Sequence, residues 1–199
     1  MGKSILTNIK QVLLIVFSVV LGLYLSERIE EGKNEKEAEL LLSKLKSEID
    51  DNKKVLEYWV PYHKEIVNRL DSLTADEAFV RRFVDNQSTL FSEVIIKGTL
   101  MGAMPSSDAW DIAKSHPLIV HFEYEVLLAL SKVYNQQALT YASVPKIMEI
   151  LLSVDFNSQA KAKSNLLAFK NQMHEILSRE EQLLYFLQES DKALKSKSK

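Results

Sequence analysis

Ala38, Leu42, Leu45, Ile49, Asn52, Leu56, Trp59, His63, Ile66, Leu70 and Leu73 follow one another at spacings that alternate four and three for five heptads. That period belongs to a helix seam of the coiled-coil or bundle type, because two such steps return to the same face of a 3.6-residue helix. The intervening Glu and Lys residues keep the other faces hydrated. A helix of this length with one apolar stripe needs partners for it, so the chain is expected to be all-α. Glycine occurs five times and never after Gly102, which suits helices with short turns better than a sheet rich in hairpins.

Two more long helices are expected. LIVHFEYEVLLALSKVYNQQALTYASVPKIMEILL, within 118–153, is helical by period with an interior Pro145. Phe156 and Asn157 mark a turn. From Ser158 the spacing of Leu166, Phe169, Met173, Ile176, Glu180, Leu183 and Leu187 defines a second seam over 158–193. Between the first helix, 27–73, and these lies an insert, 74–117. TADE at Thr74–Glu77 has capping-box spacing before AFVRRFV. LFSEVII fits strand or helix, and GTLMGAMP reads as loop by its Gly and Pro. Ser107 is placed to cap DAWDIAKSH, whose Asp108 and Asp111 suit a helix N-terminus, and Pro117 suits a following first turn. The expected domain, 27–195, is therefore an antiparallel bundle of three long helices with a short-helix insert.

Residues 1–26 carry Lys3 and Lys10 and no acid, and Val12–Leu25 is a fourteen-residue apolar run broken only by Ser18 and Gly22. Such a run rises about 21 Å, short of the ~30 Å hydrocarbon core. Extension back to Ile5 reaches spanning length if Lys10 snorkels, with Tyr24 as an interfacial aromatic. A cleaved signal peptide and a buried core helix compete with a retained anchor. The sites for cleavage are poor, and the adopted reading is a single-pass signal anchor contacting the bilayer through 5–25. The basic residues before and after the span nearly balance. The amino terminus is placed in the cytoplasm and the domain outside the inner membrane.

The order of basic head, apolar run, EIDDN, WVPYH, DAWDIAKS and YEVLLALSKVYNQQ resembles an uncharacterised family of single-pass membrane proteins of Bacteroidetes and Gammaproteobacteria. The resemblance covers roughly residues 9–137. It implies an envelope location and a topology, and it transfers no catalytic residue, because that family has no assigned chemistry.

Composition narrows the chemistry. Without cysteine there are no thiolate zinc sites, iron–sulfur clusters or cysteine nucleophiles. A net charge of −2 without a basic stripe argues against nucleic acid. The basic cluster is confined to the tail, DKALKSKSK. The four histidines, His63, His116, His121 and His174, lack metal-ligand spacing. Ser106, Ser107, Asp108, Asp111 and His116 suggest a hydrolase set only loosely, since G-x-S-x-G is absent. No cofactor, metal or catalytic residue is assigned, and the chain is not expected to be an enzyme.

EYWVPYHKE remains. Pro61 removes the hydrogen bond to the Glu57 carbonyl, yet the seam keeps phase through Trp59 and His63, so a kink is expected rather than a break. Trp59, Pro61, Tyr62 and His63, with Trp110 and Asp111, form the candidate interaction or ligand set. Asn52 is the polar residue expected to set register in a coiled coil. The expected function is a membrane-anchored scaffold or assembly subunit of the cell envelope, working through a protein partner or a homo-oligomer. The alternative is a sensor-like bundle that binds a ligand. An apolar cavity with convergent polar groups favours the second, and an exposed apolar patch favours the first.

Overall fold

A computed structural model describes residues 2–196; Met1 of the expected anchor and the last three residues of the basic tail lie outside it. All regular structure among the described residues is helical: α1 (Gly2–Leu73), α2 (Glu77–Asp85), α3 (Ser88–Glu93), α4 (Asp108–Ser115), a 3-10 turn at Pro117–His121, α5 (Tyr124–Tyr141), α6 (Val144–Leu152) and α7 (Ala162–Ser196). The all-α expectation holds in that respect.

The membrane anchor does not. Among the described residues, no helix is long and apolar enough to cross a membrane. This overturns the single-pass span, the bilayer contact through 5–25 and the inner-membrane placement that rested on it. The apolar run is too short, and lengthening it toward Ile5 brings in Gln11, Lys10, Asn8 and Thr7, each costly to bury in hydrocarbon. In the structure this stretch is instead the leading part of α1. From Leu13 to Leu25 its large apolar side chains are exposed.

From Ala38 onward α1 joins the body. Every seam residue from Leu45 to Leu70 is buried, and its partners come from the same chain, chiefly α7. His63 meets Glu180 and Asp71 meets His174, so α1 and α7 run antiparallel. Glu48 meets Tyr134 and Asn52 meets Gln137, so α1 and α5 run parallel. The three long helices are therefore not all mutually antiparallel, because residues 74–123 carry the chain back before α5 begins.

Local boundaries have identifiable causes. Thr74 closes α1 by donating its hydroxyl to the Leu70 carbonyl at 2.6 Å. The cap of α2 is Asp76, which accepts from Ala78 N–H at 2.8 Å, rather than Thr74 of the expected capping box. α2 then packs Phe79 and Phe83, one turn apart, into the core. Phe83, Phe156 and Phe169 form an edge-to-face chain there, which ties α2 to the turn before α7. The expected helix over 118–153 is broken at Ala142 and Ser143, and Pro145 falls in the first turn of α6, where its missing N–H leaves no intrahelical bond unmade. Pro61, by contrast, lies inside α1 with its ring on the exposed side.

Two apolar clusters fill the bundle. One gathers Leu45, Ile49, Leu56, Leu130, Leu183 and Leu187; the other gathers Ile66, Leu70, Phe79, Phe83, Phe156 and Phe169. Buried polar residues are interspersed with them: Asn52, His63, Gln136, Gln137, Thr140 and Glu180. No buried side-chain nitrogen or oxygen among the described residues lacks a partner, which a low-dielectric interior demands.

Candidate functional site: a strap across the helix and the cavity beside it

Residues 94–107, between α3 and α4, form no regular structure and cross α1 at WVPYH. A connection of this length without helix or strand must be held by side chains, and such loops tend to be functional. Tyr62 supplies two attachments: its hydroxyl accepts from Lys97 N–H at 3.2 Å and donates to the Thr99 carbonyl at 3.0 Å. The Lys97 ammonium lies 4.1 Å from the ring centre of Tyr58 and 4.7 Å from that of Tyr62, a cation–π latch. Gly98 sits at φ 71°, a conformation that disfavours any side chain. At Gly102 a Cβ would stand 3.1 Å from Trp59 Cζ2, so glycine lets the strap lie flat on the indole.

Farther along, Asn52 pairs with Ser106 in both directions, at 2.7 and 2.8 Å. Gln137 of α5 donates to the Pro105 and Ser106 carbonyls, each at 3.0 Å. Asn52 thus fastens the strap to α1 and α5. The strap ends on α4, whose first turn is capped from another helix. Glu48 of α1 accepts from Ala109 N–H at 2.8 Å, from Ser106 Oγ at 3.0 Å and from the Tyr134 hydroxyl at 2.6 Å. A carboxylate on exposed N–H groups at a helix start is favourable by charge and by hydrogen bonding. Ser107 stands at the predicted cap position but makes no capping bond. Burial pushes the Tyr134 phenol far above its ordinary value, and the Glu48 carboxylate adds to that shift.

His63 lies under the strap and is 1% exposed. Its Nε2 is 2.8 Å from the Leu100 carbonyl. A carbonyl only accepts, so Nε2 carries a hydrogen. Its Nδ1 is 2.6 Å from Oε2 of Glu180, which is 0% exposed. That contact is a hydrogen bond between two wholly buried groups. The other Glu180 oxygen accepts from Tyr141 at 3.4 Å. Burial, then the Glu180 charge, push the Tyr141 phenol far upward. Trp59 stacks on His63, with ring centres 6.0 Å apart.

Beside His63 opens a cavity of about 690 Å³ bounded by the strap, α3, α6 and α7. Its floor is buried: Ile95, Ile147, Leu151, Met173 and Ile176. Its rim is exposed and apolar: Phe91, Met104, Met148 and Leu152. Among the described residues, no Asp, Glu, Lys or Arg lines it. Of the five methionines in the chain, Met101, Met104, Met148 and Met173 all face it. Unbranched thioethers re-pack around differing shapes more readily than branched side chains do.

The sequence-predicted residues divide. Trp59, Tyr62 and His63 come together beneath the strap, while Pro61 is exposed. Trp110 is elsewhere, buried against Tyr134 with ring centres 5.3 Å apart. Asp111 is an exposed residue 2.8 Å from Lys114, and that ammonium and the Ser107 hydroxyl hold its carboxyl below the usual carboxylate range. The loosely suggested hydrolase residues are occupied separately: Ser106 with Glu48, Ser107 with Asp111, and His116 Nδ1 with Leu118 N–H. Glu180, Glu48 and the methionines were not singled out from sequence. Glu180 left a signal, an acid at a seam position where apolar residues surround it.

Comparison of the chain with known protein families, with curated proteins and with solved structures found no match.

Proposed function

We propose that this protein is a non-catalytic binding module, a helical bundle that takes an uncharged, largely apolar small molecule into the cavity between α3, α6, α7 and the strap. The observation that carries this reading is the cavity itself. Its volume of about 690 Å³ falls inside the range of ligand pockets, roughly 300–1,000 Å³, and apolar walls with few placed polar groups are the usual make-up of such sites. The absence of charged lining residues selects against ionic ligands, since an ion there would lose its hydration without a counter-charge. A saturable titration with Nile red tests it. The dye should bind the full chain at one site, and Met148→Trp, which places an indole across the mouth, should weaken that binding at least tenfold without moving the urea midpoint. Unsaturable binding, or equal binding by the variant, would refute the reading.

A second reading, an assembly or scaffold subunit, is supported by a different observation. Leu13, Leu14, Phe17, Val20 and Leu21 are all exposed on α1, and a helix that is apolar all round is ordinarily covered. Sedimentation of the full chain would show self-association that Leu14→Lys with Leu21→Lys reduces. Identical sedimentation of both proteins would count against this reading.

A further inference from the structure

The cavity has one buried donor that can be transferred to a guest. Gln87 Nε2 donates to the Leu151 carbonyl, part of α6, and Thr99 Oγ1 donates within the strap to the Met101 carbonyl. His63 Nε2 donates to the Leu100 carbonyl, which belongs to no helix. Leu100 is half-buried, and the strap around it is exposed at Gly98, Thr99, Gly102 and Ala103, so a released Leu100 carbonyl finds water at once. The imidazole does not: it is wedged between Trp59 and Glu180 and needs an acceptor wherever the strap goes.

Resting on the binding function proposed above, we infer that the ligand is an uncharged acyl compound, a ketone, ester or amide on an apolar chain, whose carbonyl oxygen replaces Leu100 O as the acceptor of His63 Nε2–H. The strap carbonyl occupies the place that the ligand carbonyl takes. Charge sets the class. Glu180 already holds the opposite side of the ring at 2.6 Å. A ligand carboxylate would bring a full charge against the buried carboxyl side of the ring, in a cavity whose lining, among the described residues, includes no Lys or Arg. Lys97, the cation of the strap itself, is drawn to the rings of Tyr58 and Tyr62 and is not part of the lining. A neutral carbonyl keeps the hydrogen bond and adds no charge.

Displacement of Nile red by three chains of similar length tests the inference: 2-decanone, decanoate and 1-chlorononane. The ketone should displace the dye roughly tenfold better than either other compound, the ratio that one well-made buried hydrogen bond gives. With 13C-labelled carbonyl, the infrared band of bound 2-decanone should lie below its position in an apolar solvent. His63→Phe removes the donor but strands Glu180, so the double variant His63→Phe/Glu180→Leu is the one to titrate, and in it the three compounds should bind alike. Decanoate equal to the ketone, or an unshifted carbonyl band in the saturated wild-type protein, overturns the carbonyl assignment while leaving the cavity as a binding site. Failure of all three to displace the dye overturns the binding function itself.

Discussion

Replacing His63 by Leu isolates the energetics of a buried polar pair in the bundle. Glu180 is wholly buried and its Oε2 lies 2.6 Å from His63 Nδ1. Without the imidazole the carboxylate keeps only the longer contact from Tyr141, at 3.4 Å to the other oxygen. Measured losses for stranding one member of a buried pair are about 3–5 kcal/mol. His63→Leu should therefore cost about 3–5 kcal/mol in urea unfolding at neutral pH, a large share of a typical stability of ~5–15 kcal/mol. The double variant His63→Leu/Glu180→Leu should regain most of that, because apolar replacement of a whole buried pair is often neutral. Both proteins lack the donor to Leu100, so that loss cancels between them. A single variant that costs under ~1 kcal/mol, or a coupling under ~0.5 kcal/mol in the full cycle, would refute the pairing.

Other outcomes follow from the same geometry. Tyr134 and Tyr141 are raised above their ordinary value by burial and by Glu48 and Glu180, so above about pH 10 the unfolded chain loses protons that the folded chain keeps. Stability is then complete below pH 10 and falls as pH rises beyond it, by up to ~2.7 kcal/mol per pH unit for two phenols; Tyr134→Phe and Tyr141→Phe should each flatten that slope in alkaline denaturation followed at 295 nm. Glu48→Ala should cost about 2–4 kcal/mol, since it strands the α4 N–H groups, Ser106 Oγ and the Tyr134 hydroxyl together, and a change below ~0.5 kcal/mol would contradict the capping role. Pro61→Ala should raise the melting temperature or leave it unmoved, because the exposed proline costs α1 a backbone bond and packs nothing. Gly102→Val should loosen the strap from Trp59, read as a red shift of the indole emission.

The long periods were legible in the sequence, and the places where period fails were not. The 38–73 seam and the α7 seam were readable because each apolar residue recurs on one helix face, and the structure buries both. Pro117 and the turn at Phe156 and Asn157 carried local turn chemistry and stand where expected. The break at Ala142–Ser143 carries no Gly, and the Pro that follows it reads equally as interior, so one helix was expected where there are two. The cavity had no sequence signature. It is assembled from His63, Phe91, Met148 and Met173, residues on four helices, together with a strap whose path depends on Tyr62 and Gln137. Residues 1–26 misled for a physical reason: an apolar run of fourteen residues satisfies composition rules for a membrane span without satisfying its length.

The central claim is that the space beside His63 receives an apolar ligand, and methionine methyl groups report on it directly. In protein labelled with 13C at the methionine methyls, titration with 2-decanone should shift the resonances of Met101, Met104, Met148 and Met173 and give intermolecular nuclear Overhauser effects from the alkyl chain to the floor residue Met173. Unshifted Met148 and Met173 resonances, with no such effects at a ligand concentration that saturates dye displacement, would place the binding elsewhere and contradict the account.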